Sequence, residues 1–397
     1  MPSLRSLHAF EGVCQFGSVT KASIQIHLSQ PALTQSLGKL ENELGVGLFL
    51  RKKGMVPTEA GEVLFRRVAS GMSHLKLAVW QCAEQKVKAN PNLYRQISSS
   101  QLDCFHAAVE EGSFKGASQS LDLSLATVQR AFRSLEALLG IDLAETRPGN
   151  VRRNSEGERF YTLTKLALRE FRQAFHDLNG WKGHYEESFT VGALPLVQSS
   201  ILPEAVLAFS QEFPHVTVVV VDGIYSSMSN QMRRGEIDYI IGALRRDERA
   251  EDFEQVPLFD DSLIILAREG HPLTRLQQVN KLDLAAYPWI MPRKGSPSRL
   301  YFDQFYKSLD RPANLQCPIE TGSFSVLRGM LQKSDRLGTV SKLQAQYELN
   351  SRQLARIDYP LSHSARSIGY AQRKGWHPSL PQQRFLQLLG TISHSQS

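Results

Sequence analysis

The sequence has 397 residues, 42% hydrophobic and 21% charged, enough for two or three domains with cores of their own. It contains no run of 18 apolar residues, and its start, MPSLRSLHAFEGVC, has no charged segment leading into a long apolar one; this excludes a helical membrane span and a signal peptide, and implies the cytoplasm. The net charge of +7 is lopsided: residues 1–185 carry 23 Lys and Arg against 17 Asp and Glu, the remainder 23 against 22, so a polyanion is the natural partner of the N-terminal half.

The four cysteines (Cys14, Cys82, Cys104 and Cys317) match no zinc or CxxC spacing and read most simply as free thiols in apolar surroundings, with a redox sensor as the alternative. No metal and no cofactor is implied.

The chain repeats itself near its start. Moved forward by 95 positions, residues 7–48 meet their own pattern with 13 identities in 42 positions. Leu7 falls on Leu102, Phe10 on Phe105, Gly17-Ser18 on Gly112-Ser113, Ala22-Ser23 on Ala117-Ser118 and Leu28-Ser29 on Leu123-Ser124. Leu40-Glu41 falls on Leu135-Glu136, Leu44-Gly45 on Leu139-Gly140 and Leu48 on Leu143; after a one-residue insertion Gly61-Glu62 falls on Gly157-Glu158.

Each copy reads as three helices. Leu7, Phe10 and Cys14 sit at helical spacing, as do Leu102, Phe105 and Val109. Gly17 and Gly112 suit helix ends, and Ser18 and Ser113 suit the caps of second short helices. Ser29 and Ser124 cap the third, expected over Gln30–Glu43 and Leu125–Leu138, with Pro31 in a first turn where its missing N–H is no loss. Two short helices joined by a tight turn form the helix-turn-helix plan, whose last helix fits the major groove of DNA. Longer helices follow at 59–88 and 156–178, with breaks at 89–96 and at Asn179-Gly180 and Lys182-Gly183.

From Phe189 strands alternate with helices, the mark of a parallel sheet. Strands are expected at 189–194, 216–223 (a β-branched run that suits a buried strand) and 238–244; the segment 263–273 leads away, and a second set follows at 287–292, 319–324, 336–342 and 365–374. Helices are expected at 198–213, 226–234, near 297–309, near 325–333 and at 381–389. Two such lobes place a ligand cleft where loops leave the strands' carboxyl ends.

Copy one, with Ser29-Gln30-Pro31-Ala32-Leu33, Leu40-Glu41, Leu44-Gly45, Leu48-Phe49 and Pro57-Thr58-Glu59-Ala60-Gly61, resembles the winged helix-turn-helix of the LysR-type transcriptional regulators. Copy two resembles it more loosely, with Leu125-Ala126 in place of Gln30-Pro31. LFDDSLIILAREGHPL, YPWIMPRKGSP and Gly235–Tyr239 carry a likeness of the C-terminal half to that family's two-lobed, periplasmic-binding-protein-like effector domain, nearest the subgroup of the galactose-binding-protein regulator, whose members respond to sugars or aromatic carboxylates and sulfonates.

The resemblance implies a multi-domain chain: two all-α winged helix-turn-helix units followed by an α/β two-lobed domain. The first unit covers 1–60, a linker helix and break 61–95, a second, degenerate unit 96–155, a linker helix 156–185, and the effector-binding domain 186–397. Amphipathic helices pack more often against their own domain than against a partner, but in the family such linker helices pair antiparallel between subunits, so a homodimer or homotetramer is implied.

The implied DNA contacts are Ser29, Gln30, Pro31, Ala32, Thr34, Gln35 and Lys39, with Arg51, Lys52 and Lys53 in the wing. In copy two they are Thr127, Gln129, Arg130 and Arg133, with Arg152 and Arg153 in the wing. An arginine is common in the family where copy one has Gln35 and copy two has Arg130. The second unit either touches DNA or serves only as a spacer or dimerisation surface.

The implied effector contacts are Leu194, Pro195, Gln198, Ser199 and Ala243 on one lobe, and Pro292, Gly295, Ser296, Thr321, Gly322, Ser323 and Phe324 on the other. The hydroxyls among them also suit plain helix caps. The partners expected are therefore double-stranded promoter DNA and a small-molecule effector, with no membrane.

No HExxH, Walker loop, GxGxxG or GxSxG stands in the sequence, and neighbouring Asp260-Asp261 are poorly placed for paired acid–base work, so no enzyme is expected. The alternative is a small-molecule-binding protein or enzyme with an N-terminal protein-interaction module.

Overall fold

The computed structural model describes every residue except 1, 51–53, 85–87, 89, 246–250, 311, 313, 314 and 397, and its first elements follow the serine caps and glycine stops. Helix α1 (Leu4–Phe16) starts on Ser3 and ends at Gly17, whose φ of 62° suits a residue without Cβ. Helix α2 (Val19–Gln25) starts on Ser18, and α3 (Gln30–Leu44) on Ser29. A short wing, β1 (Phe49–Leu50) and β2 (Val56–Pro57), leads to α4 (Glu59–Cys82), capped by Thr58.

Copy two repeats this order. Helix α5 (Ser99–Glu110) opens on a Ser98–Gln101 capping box, α6 (Phe114–Ser120) on Ser113, and α7 (Leu125–Leu139) on Ser124. The wing is longer, β3 (Ala144–Arg147) paired with β4 (Asn150–Arg153), and Asn154 caps α8 (Ser155–Trp181).

The repeated residues hold the wing to the helices. Glu41 accepts the Leu48 N–H and Glu136 the Leu143 N–H, both at 2.8 Å. A Cβ on Gly61 would stand 2.3 Å from the Leu48 carbonyl oxygen, and one on Gly157 1.8 Å from that of Leu143. Leu-Glu, the following Leu and the Gly are thus one device, used twice.

The two copies share one core, running from Leu4 to Ala174 within the unit Met1–Glu186. Helices α4 and α8 lie antiparallel in one chain: Arg67 pairs with Asp177 at 2.7 Å, and the Cys82 thiol meets the Glu156 carbonyl at 3.6 Å. The apolar stripes expected to join subunits are therefore spent within the chain.

Gly71 of α4 lies against the Phe171 ring of α8, whose nearest carbon is 2.4 Å from where a Cβ would sit. Arg67 also bonds Glu170 at 3.2 Å. Burial works to depress its pKa, but the carboxylates of Asp177 and Glu170 outweigh this and hold the guanidinium above its ordinary range.

The second unit, Glu187–Ser397, has two five-stranded sheets. Its elements run β5 (Ser188–Ala193), α9 (Pro195–Gln198), α10 (Ile201–Glu212), β6 (Thr217–Asp222), α11 (Tyr225–Arg233), β7 (Tyr239–Ala243) and β8 (Phe253–Asp261). They continue with β9 (Leu263–Arg268), α12 (Lys281–Ala285), β10 (Trp289–Pro292), α13 (Pro297–Lys307), β11 (Ile319–Thr321) and α14 (Phe324–Gln332). The last are β12 (Leu337–Ser341), α15 (Gln346–Asn350), β13 (Leu354–Ile357), β14 (Arg366–Arg373) and α16 (Leu380–Gln396).

One sheet has the order β6-β5-β7-β14-β8, the other β11-β10-β12-β9-β13. The chain crosses between them after Asp261 and again after Ile357, which makes the two lobes. The Gly235–Tyr239 segment is a packing device: Asp238, fully buried, accepts the Thr190 N–H at 2.8 Å, and Ile237 and Tyr239 are buried beside it.

Three expectations change. The run at 216–223 is not a buried strand: β6 is a sheet edge with Val219 and Val220 exposed, so a β-branched run can line an open edge. Strands β8 and β13, unread in the sequence, pair antiparallel with β14 and β9. The first linker helix stops at Cys82, and the second runs through Asn179-Gly180 to Trp181.

Candidate functional site

Two places combine exposure, charge and the expected residues. The first is the start of α3 and its counterpart on α7. Ser29, Gln30, Pro31, Thr34, Gln35 and Lys39 are exposed, Ala32 is half-buried, and Leu33, Leu37 and Leu40 hold the opposite face in the core. The Ser29 hydroxyl accepts the Ala32 N–H, and Lys39 reaches Glu43 at 3.7 Å on an open surface. Arg51, Lys52 and Lys53 lie outside the described residues.

On α7, Thr127, Gln129, Arg130 and Arg133 are exposed, while Val128, Phe132 and Leu135 are buried. The arginines of copy two divide. Arg133 is tied down, donating to Glu136 and to Thr146 of the wing, each at 2.7 Å. Arg153 pairs with Glu158 at 3.0 Å and covers the Tyr161 ring at 4.0 Å. Arg130 and Arg152 are exposed, and their side chains make no hydrogen bond or ion pair to another described residue. Arg130 and Arg152, like the exposed wing residue Arg147, present unspent donors, a distinction the sequence could not supply.

The second place is a cavity of about 320 Å³ between the two lobes, within the size range of small-molecule sites. Leu194, Pro195 and Ala243 line it from one lobe, and Pro292, Gly295, Ser296, Thr321, Gly322, Ser323 and Phe324 from the other. Gln198 and Ser199 are not in its wall. Gln198 turns back to the Ala193 carbonyl at 2.8 Å, and Ser199 reaches across to the Gln344 carbonyl at 3.5 Å. Both positions follow the first strand, but these bonds draw them away.

The cavity also gathers residues the sequence did not single out. Arg245, Arg293, Lys294 and Arg366 line it, and its wall contains no acidic side chain among the described residues. Arg366 sits on β14, bonds Asp261 at 3.3 Å and donates to Ser298 on the facing lobe. Burial pushes its pKa down, opposed by Asp261. Arg245 stacks on Tyr225 at 4.5 Å and donates to the Gly295 carbonyl at 3.3 Å, again across the lobes. The buried Thr339 hydroxyl has no hydrogen-bond partner.

The starts of α13 and α14 also face the cavity. Ser296 and Ser323 cap them through the Arg299 and Val326 N–H groups, so these hydroxyls act as caps in this state. The cations escaped the sequence reading because they stand on three segments far apart along the chain, around Arg245, Arg293-Lys294 and Arg366, and only the fold converges them.

A family model described as "LysR substrate binding domain" matches residues 182–392, and one described as "Bacterial regulatory helix-turn-helix protein, lysR family" matches twice, at 4–62 and 99–158. The transcriptional regulator GalR of Pseudomonas putida is 31% identical over 379 residues, 94% of this chain and 93% of its own length. The regulator PcaQ of Agrobacterium fabrum is 26% identical over 295 residues, 74% of this chain and 94% of its own. GalR therefore aligns over both repeats, whereas PcaQ leaves about a quarter of this chain unmatched.

Among solved structures, a full-length OxyR variant of Pseudomonas aeruginosa shares the fold at a TM-score of 0.54 and 19% identity, over 74% of this chain and 94% of its own. Full-length CbnR in complex with its target DNA does so at 0.50 and 19%, over 74% and 98%.

Proposed function

The chain belongs to the LysR family of bacterial transcriptional regulators, and from that premise we propose that the molecule controlling it is a small organic anion. The carrying observation is the cavity wall: four cations and no carboxylate among the described residues, beside a buried threonine hydroxyl that lacks a partner. A neutral sugar needs acceptors as well as donors, and this wall is rich in donors. Ile224, Tyr225, Phe324 and Leu327 add apolar surface, which suits an aromatic ring carrying the acid.

An aromatic carboxylate or sulfonate between the lobes adds a bond to Arg366 and Thr339 that exists only while the lobes are near each other. Differential binding of this kind shifts the balance toward the closed form. The DNA-reading residues of this reading are Ser29, Gln30, Pro31, Ala32, Thr34, Gln35 and Lys39, with α3 in the major groove. Self-association into a homodimer or homotetramer belongs to the same reading, supported by the open apolar edge of β6. On this reading the chain regulates and does not catalyse, and it acts in the cytoplasm.

Thermal shift and calorimetry of the full chain with aryl carboxylates, aryl sulfonates and neutral hexoses test the effector class. Saturable binding and a raised Tm are expected with an acid. Thr339→Val, which removes only an unpartnered hydroxyl, is expected to leave the free protein as stable and to weaken acid binding about tenfold. Binding of a hexose with no response to any acid contradicts the reading.

A further inference from the structure

We infer that one chain is by itself an asymmetric two-site DNA reader, with α3 and α7 taking two unlike halves of one operator. The inference rests on the proposed DNA-reading role of α3 and extends it to the second unit.

The two copies are related by an internal near-two-fold axis. The Leu4 N–H donates to the Ser99 hydroxyl at 3.0 Å, and under the 95-residue repeat these two positions are each other's counterparts. A residue that meets its own counterpart sits where a two-fold axis runs. Position 71 of α4 lies against 171 of α8, so the antiparallel pair centres near Met72 and Leu168, which are counterparts under the 96-residue offset that follows the insertion. The two-unit arrangement that two subunits make by pairing is here made inside one chain.

The pairing is also encoded as unlike with unlike. Arg67 of α4 meets Glu170 and Asp177 of α8, while the counterparts of these three are Leu163, His74 and Gln81. Two α4 helices together set Arg67 against His74 and Gln81, with no carboxylate. Two α8 helices set Glu170 and Asp177 against Leu163, with no cation. Phe171 needs Gly71 beneath it, and the counterpart of Gly71 is Ala167. Burial of unmatched charge disfavours both like pairings.

The reading surfaces differ at one decisive position. Gln35 and Arg130 are counterparts, both exposed near the starts of their helices, and neither side chain bonds another described residue. A glutamine suits the N6 and N7 edge of adenine, and an arginine the O6 and N7 edge of guanine. One half of the operator therefore presents adenine to α3, and the other presents guanine to α7 at the equivalent place. Arg152 adds a phosphate contact on the second half.

The test is selection of a random duplex DNA library by the full chain, repeated with Gln35→Arg and Arg130→Gln, both on exposed side chains. The expected motif has two unlike halves; Gln35→Arg brings guanine into the first half, and Arg130→Gln removes guanine from the second. Arg130→Ala is expected to weaken the selected duplex about tenfold. A motif with a single half, two identical halves, or a second half unmoved by Arg130→Gln overturns the inference while leaving DNA reading by α3 intact. No enriched motif at all overturns both.

Discussion

The two winged units share a plan and differ in what they spend on it. Both begin their third helix on a serine, anchor the wing through a glutamate and pass a glycine under a leucine carbonyl. The first keeps Pro31 and leaves Gln35 on its reading face, while the second keeps Arg130 there but commits Arg133 and Arg153 to its own wing and linker helix. The scaffold bonds are the same in both units, and their loss would strand buried groups. The exposed positions differ between the units, where a change costs little stability.

The largest expected effect lies in the joint between the units. Arg67→Ala leaves the buried Glu170 and the half-buried Asp177 without their cation, and urea unfolding of the full chain is expected to show a loss of about 3–5 kcal/mol. The same truncation at the counterpart, Leu163→Ala, is expected to cost less, since Leu163 is only half-buried. Equal effects at the two positions break the claim that the joint pairs unlike helices.

Next come the glycines. Gly157→Ala and Gly61→Ala each drive a methyl into a carbonyl oxygen, and each is expected to cost about 1–3 kcal/mol, the larger at 157 where the approach is closer. Thermal unfolding that leaves either variant at the parent Tm breaks the equivalence of the two wings.

Each copy also buries one histidine where the other has an acid: His8 stands opposite Asp103 in the repeat, and His106 opposite Glu11. Burial, aided by Arg95, pushes His8 down to about 3; burial also pushes His106 down to about 3, against the pull of Glu110. The folded values lie below the ordinary 6.5, so as pH falls below about 6.5 the unfolded chain takes up protons that the folded chain refuses. Their contribution is therefore intact above about pH 6.5 and is lost progressively as pH falls from there toward 3. Glu11, raised by burial against the pull of Arg95, Gln15 and Lys76, works the other way at the acid end of that window. His8→Phe, at a ring with no hydrogen-bond partner, is expected to flatten the slope just below pH 6.5; an unchanged slope assigns it elsewhere.

The smallest expected effect is at Arg133. Held by Glu136 and Thr146, it is expected to change base preference less than about twofold when replaced by Ala, far below Arg130. A larger shift, read by competition with single-base variants of the duplex, means that Arg133 leaves those partners to reach DNA.

Much of this was legible in the chain itself. The repeat, the serine caps, the order of strands and helices, and ten of the wall positions of the cavity follow from spacing and resemblance, because caps and periodicity are local. What was not legible is relational. An apolar stripe on α4 says that it packs, and not that its partner is α8 of the same chain. Val219 and Val220 read as buried because β-branched runs suit either a sheet centre or its edge. Arg245 and Arg366 are ordinary surface letters until the lobes bring them together, and Gln198 and Ser199 lose the cavity to carbonyls within reach.

On the inference above, two unlike units of one chain hold two segments of one duplex. Photocrosslinking from the equivalent exposed positions Thr34 and Gln129, each replaced by a benzophenone amino acid in the full chain, measures this directly on its selected DNA. The expected result is two separate crosslinked segments, one for each position, with centres about 10 base pairs or a multiple apart. A silent position 129, or both positions marking both segments equally, contradicts it.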